Sequence, residues 1–266
     1  MDRARHIHEE SDRLEAVLAD CDPAAEVPSC PGWTALDLLV HVVTVQRFWA
    51  TVLGRRLDDE QVAAYERTRP PLPRDRSALL VLRREATADL VTALAGRDPS
   101  EPAWSWFSAD RTVDFSWRMQ THEALMHRVD AELAAGLAIG PTSPELAADG
   151  IDHVVDVMWN GVPDGAERRT TGVVRLSATD SGRRWSLRTC RWSATTWGRT
   201  FTDHPGCHRA DDVEPDAVVD DVDRVGLQAH PAGRRSGMTY DVGDRLTQYP
   251  CEQHPVLRCG DGGVGR

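Results

Sequence analysis

The order of apolar and polar residues gives the chain two different rhythms. Over residues 3–20, Ile7, Leu14, Val17 and Leu18 recur at helical spacing among charged positions. That pattern predicts an amphipathic helix, which Asp22-Pro23 ends. Residues 35–53 carry Leu36, Leu38, Leu39, Val40, Val42, Val43 and Val45 and are apolar nearly all round, as a central helix should be. Thr34 is placed to cap this helix with Asp37 at the capping-box position, and Gly54 is placed to stop it. A third helix is expected over 75–95 through Leu79, Leu80, Leu82, Leu90, Val91 and Leu94. A fourth is expected over about 115–135, entered through Trp104-Ser-Trp-Phe107 and Val113-Asp-Phe-Ser-Trp117 and closed by Gly136. Residues 55–74 are charged and proline-rich and read as a connection crossing the outside. Four helices with one long crossover predict a four-helix bundle over residues 1–137.

Past residue 137 the rhythm changes. Ser143 caps and Pro144 opens a helix expected over 144–159. Val173–Ala178 and Arg184–Arg188 read as strands joined by the Asp180-Ser-Gly182 turn. A small, incomplete α/β domain is therefore expected over 138–197. After about Thr200 only Leu227, Leu246 and Leu257 occur, with no isoleucine and no helix or strand period. Residues 198–266 are accordingly expected to be an irregular or disordered tail.

Composition narrows the partners. The net charge is −11 and the sequence pI is near 5.3. Such a surface repels phosphate backbones and anionic lipid, which argues against nucleic acid and membrane partners. There is no run of 18 or more consecutive apolar residues, and the charged N-terminus lacks the apolar segment of a secretory signal, so the expected location is cytoplasmic. All 31 basic residues are arginine, which coding bias in GC-rich DNA accounts for without a functional role. The six cysteines show no CxxC pair, and free thiols are expected.

Candidate chemistry sits in the fourth helix. Glu123 and His127 are spaced i, i+4 and share one helix face. Met119, Met126, Leu133 and Ala134 surround that face, which places it on the core side. A buried carboxylate needs a cation, a hydrogen-bond partner or a metal. His41 on the second helix is flanked on its own face by Leu38, Val45 and Phe48 and also points inward. Two imidazoles and a carboxylate suit zinc, with Fe, Ni or Mn less favoured; a metal-free His–Glu–His network fits the same spacing. His122 points roughly 100° away around the helix, so the pair is not the HExxH arrangement of zinc proteases.

Three segments together resemble a known family. They are Val27-Pro-Ser-Cys-Pro-Gly-Trp-Thr-Ala-Leu-Asp-Leu-Leu-Val-His41, His122-Glu-Ala-Leu-Met-His-Arg-Val-Asp-Ala-Glu132 and Pro144-Glu-Leu-Ala-Ala-Asp-Gly-Ile-Asp-His153. The chain from residue 1 to about 188 resembles the mycothiol-dependent maleylpyruvate isomerase family, whose N-terminal domain is a DinB-like metal-binding bundle. The resemblance implies a divalent metal, zinc by preference, on His41, Glu123 and His127. It also implies mycothiol as thiol cosubstrate, an electrophilic small-molecule substrate, and isomerase or S-transferase chemistry. It names no further catalytic residue. Arg47 and Arg118 are candidates for holding a carboxylate of thiol or substrate, and each also reads as a solvated arginine. Trp33, Trp49 and Trp117 fit either a pocket mouth or core packing, and Cys30 reads as structural. The match fades near Cys190. The alternative to an enzyme is therefore a non-catalytic metal- or thiol-binding bundle with a degraded C-terminal domain.

Overall fold

The computed structural model describes residues 1–159, 162–163, 165–196 and 199–210. It divides at Gly140/Pro141 into a helical unit and a second unit that holds a sheet. The helical unit contains α1 (Arg3–Asp20), α2 (Ala35–Arg55), α3 (Asp59–Thr68), α4 (Arg76–Leu94) and α5 (Val113–Ala134).

Each long helix starts where a side chain accepts a bond from an otherwise unpaired backbone N–H: Asp2, Thr34, Asp75 and Thr112 do this for α1, α2, α4 and α5. Thr34 and Asp37 form the expected reciprocal capping box. Gly54 does not stop α2. It lies inside the helix, where a Cβ would stand 3.7 Å from that of Ala93 on α4, and Arg56 closes the helix in the left-handed conformation at φ 54°.

Side-chain bonds fix the directions of the helices. Arg3 pairs with Asp114 and Arg13 with Glu132, so α1 and α5 run parallel. Arg83 pairs with Asp12, and Arg76 donates to the Cys21 carbonyl, so α4 runs antiparallel to α1. Gln46 accepts from Thr87, and Gly54 lies beside Ala93, so α2 and α4 run parallel. Two parallel neighbours require a long crossover, and residues 56–75 provide it.

The crossover carries a helix that the sequence pattern did not single out. Its α3 begins at a second capping box, with Asp58 accepting from Gln61 N and Gln61 reaching back to Asp58 N. Only Val62 of this helix is fully buried, so it lacks the apolar stripe that marks the others. Tyr65 stacks on Phe48 at 6.1 Å between ring centroids and bonds Thr51 at 3.2 Å.

Leu14, Leu18, Leu38, Leu39, Val42, Val43 and Leu79 form the centre of the bundle. Helix α2 is long and apolar enough to cross a bilayer by length and composition. Here its apolar residues are packed within the bundle, including Leu38, Leu39, Val43 and Val52.

In the second unit α6 (Pro144–His153) runs into a π-helical turn over Val154–Met158. An antiparallel sheet follows in the order β1 (Glu167–Ser177), β2 (Arg184–Thr196), β3 (Arg199–Arg209). The hairpin expected at Asp180-Ser-Gly182 joins β1 and β2, with Gly182 at φ 70°. Both strands extend further than the apolar runs indicated. Strand β3 corrects the expectation that irregular chain begins at 198. Pro205 lies opposite Arg191 on an outer strand, where a missing ladder N–H is tolerated. Gly206 allows a close approach: a Cβ would lie 3.0 Å from Val162 and 3.1 Å from Trp192. Asp152 accepts from Trp185 Nε1 at 2.8 Å, from Arg183 at 2.7 Å and from Arg209, tying α6 to β2 and β3. Cys21, Cys30, Cys190 and Cys207 are not in disulfides. The expected tail beyond residue 210, with Cys251 and Cys259, lies outside the described residues.

Candidate metal centre

Helix α5 carries Ser116, Gln120, Glu123 and His127 along one stripe, at successive spacings of four, three and four. The stripe meets α2 at His41. Both imidazoles aim their Nε2 atoms at the same carboxylate oxygen: Glu123 Oε1 lies 3.3 Å from His41 Nε2 and 3.1 Å from His127 Nε2. The two rings are 4.7 Å apart and nearly perpendicular. One donor atom from each of the three residues lies within 4.8 Å of the other two.

The cluster is buried on one side and open on the other. The His41 side chain is 4% exposed, whereas that of Glu123 is 32% exposed. Met126, expected on the core side, is 43% exposed. Glu123 thus stands at the rim of the buried face rather than at its centre, with about a third of its side chain open to solvent.

Two further groups hold the imidazoles. Asp130 Oδ2 lies 2.8 Å from His127 Nδ1. The ring of Trp33 packs on His41 with centroids 4.8 Å apart. Trp33 ends the loop between α1 and α2, which closes on itself through Val27 N–H to the Trp33 carbonyl at 3.0 Å and Trp33 N–H to the Cys30 carbonyl at 3.0 Å. Sequence reasoning missed Asp130. Its only signal was an acid three residues after His127, one turn along the same helix.

The electrostatics follow from burial and pairing. Burial opposes charge on Glu123, yet the charge of His127 and hydrogen bonds from both imidazoles outweigh it and hold the carboxyl far below its ordinary range. Burial also opposes charge on His127, but Glu123 and Asp130 prevail and push its pKa up to about 10. His41 is pushed down, first by burial and then by the charge of His127, although Glu123 acts in the opposite direction. The surroundings thus favour the charged forms of Glu123 and His127 and the neutral form of His41.

The donor set fits a divalent cation. Metal–nitrogen and metal–oxygen bonds of about 2.0–2.2 Å at tetrahedral angles place neighbouring donor atoms about 3.4 Å apart, and the two imidazole–carboxylate separations are 3.3 and 3.1 Å. A carboxylate on the far nitrogen of a ligand histidine is the usual outer partner of such a site. The cluster thus has the capacity to hold a divalent metal.

Arg47 is exposed and lies about 120° around α2 from His41. Arg118 is half-buried and about 140° around α5 from Glu123. Neither stands on the helix face that carries the cluster. Trp49 is buried against Phe48 and Trp104. A separate groove of about 450 Å³ between α1 and α4 shares no residue with the cluster. Its Arg83 is engaged by Asp12 and Glu15.

Residues 4–132 match the family model of the mycothiol maleylpyruvate isomerase N-terminal domain. The helical bundle belongs to this family. Among solved structures, the mycothiol-dependent maleylpyruvate isomerase is 19% identical, with 69% of this chain and 78% of that chain covered and a TM-score of 0.48. A histidine-to-alanine mutant of the mycothiol-dependent maleylpyruvate isomerase is 17% identical over the same shares, with a TM-score of 0.46. No curated protein sequence matches the chain. Within the family's N-terminal domain, the three converging donors are the feature of this chain that can carry chemistry.

Proposed function

We propose that the protein is a divalent-metal-dependent enzyme of the mycothiol-dependent maleylpyruvate isomerase type. In this reading it binds a low-molecular-weight thiol, mycothiol by preference, and adds it to an electrophilic carbon of a small substrate. The observation that carries the reading is the convergence of His41 Nε2, His127 Nε2 and a Glu123 carboxylate oxygen in a bundle of that family.

His41, Glu123 and His127 would hold the metal, with zinc favoured by two imidazoles and one carboxylate. When bound, a divalent cation in this position lowers the pKa of a coordinated thiol, so that the thiol is ionised at neutral pH. The chain's own residues do the rest. Burial of His41 and His127 keeps water from the back of the site, while the exposed side of Glu123 leaves an approach for small molecules. Asp130 holds the Nδ1 proton of His127, and Trp33 braces the His41 ring. In an isomerisation the added thiol leaves after rotation about the former double bond; in a transfer the adduct is the product.

Metal content of purified protein tests the reading, for wild type and for His41→Ala, Glu123→Ala and His127→Ala. Near-stoichiometric zinc in wild type and its loss from all three variants is the expected result. A wild type that takes up no metal on reconstitution would reduce the three residues to a buried polar network. The next assay is mycothiol-dependent turnover of maleylpyruvate and related electrophiles. Metal uptake without thiol-dependent turnover would favour the non-catalytic binding bundle instead.

A further inference from the structure

Asp130 is a buried carboxylate on α5 with both oxygens engaged. Its Oδ2 lies 2.8 Å from His127 Nδ1. Its Oδ1 accepts from the Ser29 hydroxyl, and the Cys30 thiol approaches Oδ2 at 3.9 Å. Ser29 and Cys30 belong to the same α1–α2 loop that ends at Trp33, whose ring packs on His41. One loop therefore backs both imidazoles of the cluster, directly at His41 and through Asp130 at His127.

A neutral imidazole has one N–H and one lone pair, and the partner of one nitrogen decides which nitrogen is free. A carboxylate at Nδ1 keeps the proton there and leaves Nε2 to act as ligand. The Nε2 atom is the one that faces Glu123. Asp130 itself needs a fixed orientation to do this. It sits one turn from His127 on the same helix, and a hydrogen bond from a different segment locks its rotation. Ser29, 101 residues away in sequence, supplies that bond.

We propose that Asp130, held in place by Ser29, is the positioning residue that fixes His127 as an Nε2 ligand. The proposal rests on the metal reading above. It assigns a role to the Pro-Ser-Cys-Pro loop: Ser29 is its anchor on the ligand helix, and the loop is part of the site's outer support rather than a passive connection.

The test measures zinc affinity by chelator competition in wild type, Asp130→Ala, Asp130→Asn and Ser29→Ala, with His127→Ala as reference. Asp130→Ala is expected to weaken zinc binding by about 10–100-fold. Asp130→Asn should recover most of that loss, because its amide oxygen still accepts from Nδ1–H. Ser29→Ala should weaken binding by less than Asp130→Ala. A second readout addresses position rather than stability. In ¹⁵N-labelled, zinc-loaded protein, His127 should show a slowly exchanging Nδ1–H resonance in wild type and Asp130→Asn. Should Asp130→Ala fail to fold, the near-isosteric Asn variant carries the decision through this resonance. Zinc binding in wild type with equal affinity in Asp130→Ala would overturn this inference alone, as would coordination of His127 through Nδ1. A wild type without zinc affinity would overturn the metal reading and this inference together.

Discussion

Gln120 stands one turn ahead of Glu123 on α5, 2% exposed, and neither its amide oxygen nor its amide nitrogen has a hydrogen-bond partner among the described residues. An orphaned buried amide costs about 1–3 kcal/mol, whereas an apolar side chain of similar volume carries no such penalty. Gln120→Met is therefore expected to raise unfolding free energy by about 1 kcal/mol, read from denaturant melts of the metal-free protein. A lower midpoint would mean that the amide is satisfied after all. The three converging residues were legible as a group in sequence because an acid and an imidazole at i, i+4 on an apolar face demand an explanation, and His41 lies on an equally apolar face. Asp130 was not legible. An acid three residues beyond a histidine looks like any solvated helix charge until Ser29 is folded over it. The exposure of Met126 was equally hidden, since helical periodicity places the apolar face but not the position of its edge.

At the scale of elements, the four long helices were readable from apolar spacing and the start of α2 also from its cap, and the cap residues carry a measurable share of their stability. Thr34→Ala removes the bond to Asp37 N and half of the capping box that starts α2. It is expected to cost about 1 kcal/mol in chemical denaturation, and Thr34→Ser should restore most of the loss. Helix α3 was missed because one buried residue cannot produce a stripe, and the prolines after Arg69 made the whole connection read as loop. The Asp58–Gln61 capping box was the available signal. Strand β3 was missed for the opposite reason: Pro205 and Gly206 argue against a strand when read alone. Only the partner strand and the packing of Trp192 explain them, since Gly206 leaves the space that the indole occupies. Gly206→Ala should consequently destabilise the sheet by about 1–3 kcal/mol, measured as a shift in the denaturation midpoint. No change would show that Val162 and Trp192 can move aside freely.

Across the described residues of both units, carboxylates with little exposure are paired with arginines, and this makes stability depend on acidity. In the bundle, Arg128 donates to Glu10 at 2.7 Å, to Glu132 at 2.8 Å and to the Gly140 carbonyl at 3.1 Å. Glu132, fully buried, also accepts from Arg13 at 3.0 Å and from Gly140 N at 2.8 Å. Burial alone would raise its pKa, but the bonds from Gly140, Arg128 and Arg13 more than offset this and hold the carboxyl below its ordinary value. In the second unit Asp152 is likewise held low against burial, by Arg209, Trp185 and Arg183. A carboxyl whose folded pKa lies below its unfolded value binds more protons when unfolded, so stability rises with pH across that interval. The contribution is complete above the unfolded values of about 4 and drains away as pH falls through the lower folded ones. Denaturant melts at pH 7, 5 and 3.5 should thus show little change over the first step and a marked loss over the second. Glu132→Gln separates the two units' shares. It breaks a buried pair, leaving Arg128 with Glu10, and should lower stability at pH 7 by about 3–5 kcal/mol. It should also flatten the acid limb of the bundle transition and leave that of the sheet unit unchanged. An acid limb as steep in the variant as in wild type would place the proton uptake on other carboxylates and refute the role assigned to Glu132.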